Sequence, residues 1–133
     1  MSWLVVLLVF LLAAFKTEKP KKYMKVSVII PAFNEEETVA NVINVVKKVK
    51  YVDEVIVVND GSTDNTESEA KSAEAIVINH EVNKGKGEAL TTGYRKSDSD
   101  IIAFIDADIH NLTSKKVDAM IRPILEGCLL YTS

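Results

Sequence analysis

The stretch Ile101-Ile102-Ala103-Phe104-Ile105-Asp106-Ala107-Asp108 most constrains what this chain can fold into. It is an apolar run, β-branched and aromatic, without polar alternation, and it ends in two acids. Such a run reads as a strand covered on both faces, which requires a parallel sheet between helices. Ligands of open α/β sheets bind beyond the carboxyl ends of the strands, where Asp106 and Asp108 would stand. Residues i and i+2 of an extended segment point to one side. The two carboxylates are therefore placed to converge on a hard divalent cation carrying phosphate oxygens. The same three residues also serve as an ordinary polar strand end, and the pair alone does not decide between these readings.

The remaining sequence narrows the choice. The 133 residues suffice for one domain, and 47% hydrophobic with 26% charged residues describes a globular chain. A formal charge of −3 gives no basic nucleic-acid surface. Cys128 is the single cysteine, so no internal disulfide forms.

Trp3 to Phe15 is continuously apolar, and charge begins at Lys16. As a helix it reaches about 20 Å, against a hydrocarbon core of about 30 Å. No Lys or Arg precedes it and no small-x-small cleavage site closes it, which argues against a signal peptide. Residues 1–16 are read as a membrane anchor and 17–24 as a linker. Lys16, Lys19, Lys21, Lys22 and Lys25 would keep the downstream domain at the cytoplasmic face. A translation start at Met24 would instead leave the chain cytoplasmic. The domain pattern occupies 25–127, and 128–133 completes no further element and reads as a tail of doubtful origin.

Within the domain, strands and helices alternate. Val26 to Ile30 is a strand ended by Pro31. Asn34 is placed to cap the next helix, with Glu37 completing a capping-box-like pair. That helix carries Val39, Val42, Ile43, Val46 and Val49 at helical spacing. Glu54 to Val58 is a second strand, followed by the turn Asn59-Asp60-Gly61-Ser62-Thr63-Asp64, where Ser62, Thr63 or Asp64 caps a polar helix over 65–72. Ala75 to Ile78 is a third strand, and His80 after it reads as an inert loop histidine. Asn83-Lys84-Gly85-Lys86-Gly87 matches neither named phosphate-loop pattern. Its glycines nevertheless permit close backbone approach at a helix start, and Lys86 offers a point charge. A helix over 88–96 would turn Leu90 and Tyr94 inward, and the run from Ile101 would be the central strand. Thr113 or Ser114 caps a last helix with a stripe of Val117, Met120, Ile121 and Ile124, which Pro123 should kink or end. Four strands alternating with helices predict a doubly wound, mostly parallel sheet.

Three ordered motifs then carry a resemblance. Val26-Ser27-Val28-Ile29-Ile30-Pro31-Ala32-Phe33-Asn34-Glu35-Glu36, Val57-Val58-Asn59-Asp60-Gly61-Ser62-Thr63-Asp64 and Asp106-Ala107-Asp108 resemble a family 2 glycosyltransferase with the GT-A (Rossmann-like) fold. Gly85-Lys86-Gly87-Glu88-Ala89-Leu90 with Asp106-Ala107-Asp108-Ile109-His110-Asn111 looks most like the glucosyl-3-phosphoglycerate synthase branch. Dolichyl-phosphate mannose synthases are next, but they often follow the acidic motif with a His-Pro or Asp-Pro pair that is missing here. The resemblance implies hexose transfer from a nucleoside-diphosphate sugar, a UDP- or GDP-sugar, with Mg²⁺ or Mn²⁺. Pro31, Ala32, Phe33 and Glu35 would line the nucleoside pocket. Asp60 would bind the base edge, with Gly61 and Ser62 shaping its turn. Gly85 and Lys86 would meet the diphosphate. Asp106 would hold ribose or sugar hydroxyls, Asp108 would ligate the metal, and both acids would be catalytic.

Family members usually add a metal ligand, often a histidine, and the acceptor pocket from a C-terminal half. His110 stands too close to Asp108 to be equated with that ligand, so this chain is expected to bind donor but to turn over little by itself. The acceptor stays open: a membrane anchor favours a polyprenyl phosphate, the Gly85 to Leu90 segment a phosphoglycerate. A non-catalytic nucleotide-sugar-binding module is the reading from a different class. A sugar-phosphate nucleotidyltransferase is disfavoured, because Pro31-Ala32-Phe33-Asn34 stands where its Gly-rich first loop belongs.

Overall fold

A computed structural model of the chain describes residues 23–127. The apolar segment 1–16, most of the linker and the tail 128–133 lie outside the described residues. Among the described residues, no helix is long and apolar enough to cross a membrane.

The elements succeed one another as β1 (Val26–Ala32), α1 (Val39–Lys47), β2 (Glu54–Asn59), α2 (Thr66–Ser72), β3 (Ile76–Asn79), α3 (Lys86–Lys96), β4 (Ile101–Phe104) and α4 (Ser114–Leu125). The four strands form one sheet in the order β3-β2-β1-β4, every pair parallel. The expected α/β sheet is therefore present, doubly wound with helices on both faces. Val26, Val28, Ile30 and Ala32 of β1 pack with Val55 and Val57 of β2 beneath α1, α2 and α4. Ile29, Ile56 and Val58 turn the other way and meet Ala89 of α3. Parallel pairing requires this double cover, and it explains why β1 and β2 read as unbroken apolar runs.

β4 is not central. Among the described residues it is an edge strand, and Phe104 is 46% exposed. The apolar run alone cannot report this, because edge position depends on which strands pair and not on local composition. Nor does Pro31 end β1, which continues to Ala32 with Pro31 opposite Val58. Ile29, two residues earlier on the same side, accepts from Ile105 N at 3.0 Å, so the missing N–H of Pro31 faces β4 just past its last paired residue. No ladder bond is lost there.

Three helix details differ from expectation. Asn34 does not cap α1. The helix starts at Val39 after Thr38, without a side-chain cap, and Asn34 adopts φ 52°. Asparagine tolerates this left-handed conformation, and its amide is used elsewhere. The inner face of α3 is Ala89 and Gly93, with Tyr94 61% exposed and Leu90 half-buried. In α4 Val117 and Ile121 are buried, but Met120 is exposed, and the helix runs past Pro123 to Leu125. Thr113 does cap it, accepting from Lys116 N at 3.2 Å.

Candidate active site

The carboxyl ends of β1, β2 and β4 and the start of α3 enclose a cleft of about 330 Å³. β1 contributes Pro31, Ala32, Phe33 and Glu35, and β2 contributes Asp60. Asp106, Ala107 and Asp108 come after β4, while Asn83, Gly85, Lys86 and Ala89 come from the loop and first turns of α3. The two acids therefore share one cavity with Asp60 and Pro31. Of the sequence-derived candidates, only Gly61 and Ser62 stand outside the lining. Asn83 and Ala89 line it without having been singled out.

Gly61 and Ser62 shape the wall from behind. The loops after β1 and β2 are stitched together. Asn34 N donates to Ser62 Oγ at 2.9 Å, and Thr63 N donates back to Asn34 Oδ1 at 2.9 Å. Glu35 N donates to Thr66 Oγ1 at 2.8 Å, and Asn65 N donates to Glu36 Oε2 at 3.0 Å. None of the three proposed residues is the cap of α2: Asn65 holds that position without a side-chain cap bond, and Asp64, one residue earlier, accepts from Thr66 N at 2.9 Å. The acidic loop is tied in as well, because Thr38 Oγ1 donates to Ala107 O at 2.7 Å. Phe33 is left 46% exposed on this rigid rim, an aromatic face available to a planar ring.

Asp60 is 3% exposed. Its Oδ1 accepts from His80 Nδ1 at 2.7 Å and Lys84 N at 2.9 Å, and its Oδ2 accepts from Gly85 N at 2.9 Å. Burial pushes its carboxyl upward, but the donors Lys84 N–H, His80 and Gly85 N–H outweigh burial and hold it below the usual aspartate value. A carboxylate offers about four acceptor positions, so three internal bonds leave Asp60 little capacity for a ligand. His80 is not the inert loop residue expected, being buried with both ring nitrogens bonded.

The other wall is exposed and charged. Lys86 Nζ pairs with Asp106 Oδ1, both side chains about half exposed. The hydrogen bond to Asp106, and then the charges of Asp106 and Asp108, raise the Lys86 ammonium above the ordinary lysine value. Among the described residues no group of three or more His, Cys, Asp and Glu side chains is arranged to hold a metal ion. Asp106 and Asp108 by themselves supply two hard oxygen donors, so an ion here would complete its shell from a bound ligand and water.

Comparison with known proteins bears on this cleft. The glucosyl-3-phosphoglycerate synthase of Mycolicibacterium smegmatis is 39% identical over 117 residues, covering 81% of this chain and 39% of the relative. The undecaprenyl-phosphate 4-deoxy-4-formamido-L-arabinose transferase of Proteus mirabilis is 35% identical over 101 residues, covering 68% of this chain and 31% of the relative. The crystal structure of the Mycobacterium tuberculosis glucosyl-3-phosphoglycerate synthase in complex with Mn²⁺, UDP-glucose and phosphoglyceric acid matches with a TM-score of 0.73. It is 38% identical, covering 78% of this chain and 40% of that one. The chain thus spans about two-fifths of these synthases. The family model for glycosyl transferase family 2 matches residues 27–129, nearly the whole described fold together with its cleft. On that match the chain belongs to glycosyltransferase family 2.

Proposed function

We propose that the cleft is the donor site of a hexosyltransferase that takes a nucleoside-diphosphate sugar, of the UDP-glucose type, and serves a phosphoglycerate-like acceptor. The observation that carries the reading is the convergence of Phe33, Asp60, Lys86, Asp106 and Asp108 on one cavity. The match to synthases of this name supports the donor and acceptor class. The polyprenyl-phosphate alternative has the less similar relative on its side.

In this reading the stitched loops hold Phe33 as a platform for the base, and Asp60 keeps the neighbouring backbone in place. The Lys86 ammonium leaves Asp106 and donates to a diphosphate oxygen. Asp106, once released, would be free for the cation or for sugar or ribose hydroxyls, and Asp108 would hold the cation. The donor set fits Mg²⁺ or Mn²⁺, which prefer oxygen ligands and accept phosphate in their shell. When bound, such an ion offsets the charge that develops on the departing diphosphate. Lys86 contributes to the same end as a fixed positive charge. The lysines after the apolar segment favour the cytoplasmic side for the domain. Because the chain spans only part of its relatives, donor binding is the step assigned to these residues, and little turnover is expected of this chain by itself.

Titration calorimetry with UDP-glucose, with and without Mn²⁺, tests the reading. Affinity should depend on Mn²⁺, and Asp108→Ala should abolish that dependence. A chain with no Mn²⁺-dependent affinity for any UDP- or GDP-sugar would refute it. Binding that ignores Asp108→Ala would instead indicate a plain nucleotide-binding module.

A further inference from the structure

We infer that His80 is a positioning residue for nucleoside-diphosphate binding: held between Asp60 and Thr92, it sets the carboxylate from which the loop carrying Lys86 is hung. The inference rests on the donor-site reading above.

His80 comes directly after β3, and its side chain is 6% exposed, that of Asp60 5%. The ring bridges two elements, with Nδ1 2.7 Å from Asp60 Oδ1 and Nε2 2.8 Å from Thr92 Oγ1 on α3. An ionised carboxylate only accepts, so Nδ1 carries the hydrogen. The Thr92 hydroxyl can donate or accept, so both contacts persist whether or not Nε2 is protonated. His80 therefore fixes the rotation of the Asp60 carboxylate about its last torsion.

That rotation matters because of what Asp60 holds. Among the described residues, the hydrogen bonds from Glu81–Gly85 to the body of the fold end on Asp60, apart from the first turn of α3. Lys84 N and Gly85 N donate to different oxygens of the same carboxylate, so a turned carboxylate cannot satisfy both; Gly85 N also reaches Asn83 Oδ1 within the loop at 3.0 Å, whereas Lys84 N depends on Asp60. The loop also sits directly on the β2 turn. At Gly61, which has φ 74°, an added Cβ would lie 2.6 Å from Asn83 N and 2.7 Å from Val82 C. Lys86, next in the chain, takes its place over the cleft from this arrangement. Sequence reading passes over His80 because nothing local marks it. Its role appears only when β2, β3 and α3 are brought together.

Three variants of the full chain test the inference through two readouts. His80→Ala removes both contacts. His80→Asn places an amide donor near the Nδ1 position, facing Asp60, whereas His80→Gln reaches only toward the Nε2 position and Thr92. The first readout is hydrogen exchange at the Lys84 and Gly85 amides in the ligand-free chain, and the second is calorimetric affinity for UDP with Mn²⁺. A hydrogen bond to a charged group is worth enough that His80→Ala should speed exchange by roughly tenfold at Lys84, and less at Gly85, which retains Asn83 Oδ1, and weaken UDP by a similar factor. Amides in the middle of β1 and β2 should be unchanged. His80→Asn should restore both readouts, and His80→Gln neither. Unchanged Lys84 and Gly85 exchange in His80→Ala, or equal rescue by the two amides, overturns the inference while normal UDP binding leaves the donor reading intact. A wild-type chain without affinity for UDP overturns the donor reading, and the nucleotide role of His80 falls with it.

Discussion

Replacing Gly93 with alanine should destabilise the fold, although alanine is the better helix former. Gly93 lies on the face of α3 that meets the sheet. A Cβ there would stand 2.4 Å from Ile29 Cγ2, 3.2 Å from Val58 Cγ2 and 3.3 Å from Ile29 Cδ1. Non-bonded carbons rest about 3.5–4.0 Å apart, so either α3 withdraws by roughly an ångström or Ile29 turns. Ile29 is fully buried on the inner strand β1 and, being β-branched, has a stiff χ1. The helix gains about 0.8–1 kcal/mol from the substitution. Overpacking of a filled core costs about 1–3 kcal/mol, and a contact this short with a buried methyl belongs in the upper part of that range. The net expectation is a loss of about 1–2 kcal/mol. Gly87 in the first turn of the same helix is the control, because a Cβ there meets nothing within 4 Å, and Gly87→Ala should stabilise, by up to about 0.5 kcal/mol so near the helix start. Urea unfolding followed by circular dichroism, with unchanged m-values, measures both. A double-mutant cycle adding Ile29→Ala should show that truncation costs less in the Gly93→Ala background, because the new methyl fills part of the space left behind. Stabilisation by Gly93→Ala equal to that of Gly87→Ala would refute the reasoning.

At acid pH the folded Asp60 carboxyl titrates below its unfolded counterpart. Its contribution to stability is present above pH ~4 and lost as pH falls through the folded value. Urea midpoints between pH 2 and 7 should fall along this limb, and Asp60→Asn should flatten it. At alkaline pH the opposite sign applies to Tyr51, whose hydroxyl donates to Asp118 Oδ1 at 2.7 Å and whose phenol is pushed up to about 12 by burial first and that bond second. Its contribution is complete below pH ~10 and lost as the phenol ionises, so Tyr51→Phe should remove the matching late step in absorbance at 295 nm. Lys86→Ala should raise the affinity of the nucleotide-free chain for Mn²⁺, since Asp106 loses its cation, and lower that for UDP with Mn²⁺. Loss of both affinities would place Lys86 in the architecture of the loop and not in the exchange of partners.

The sheet was legible because β1 and β2 are covered on both faces, and only long apolar strands meet that demand. The same property misled the placement of β4, whose run is equally apolar but which pairs on one side only among the described residues. In α3, hydrophobicity pointed to Leu90 and Tyr94, yet the residues facing the sheet are Ala89 and Gly93, each one position earlier. The helix packs by close approach there, and close approach selects small side chains, which carry little apolar signal. The Asn34 cap failed for a related reason. Its side chain suits a helix start by local rules, but the β2 loop competes for the same amide oxygen and holds it through Thr63 N. Asp60, Lys86, Asp106 and Asp108 stand out in the sequence through the strand ends and the family resemblance, and they line one cavity. His80 has no motif, and its environment is wholly tertiary.

The two walls of the cleft differ in kind, and the difference suits a donor with a flat base and a charged diphosphate. On one side backbone N–H groups of the β1 and β2 loops meet side chains of the opposite loop, so Phe33 stands on a frame that has little ordering left to do before a base stacks on it. Preorganisation of that kind lowers the entropy cost of binding. The other side consists of exposed charges whose present partners are each other. Exposed ion pairs contribute little to stability, so Lys86 can leave Asp106 at small cost when a phosphate oxygen takes the carboxylate's place. In the proposed reading a metal-bearing diphosphate would bring both an anion for Lys86 and a cation for Asp106 and Asp108, so the exchange would leave these three charges partnered. A nucleoside alone would meet only the stitched wall, and a free cation would find Asp106 already paired with Lys86. On the donor-site proposal, specificity for the joined ligand would arise from the division of labour between the walls, with Asp60 and His80 at the seam holding the loop of one against the frame of the other.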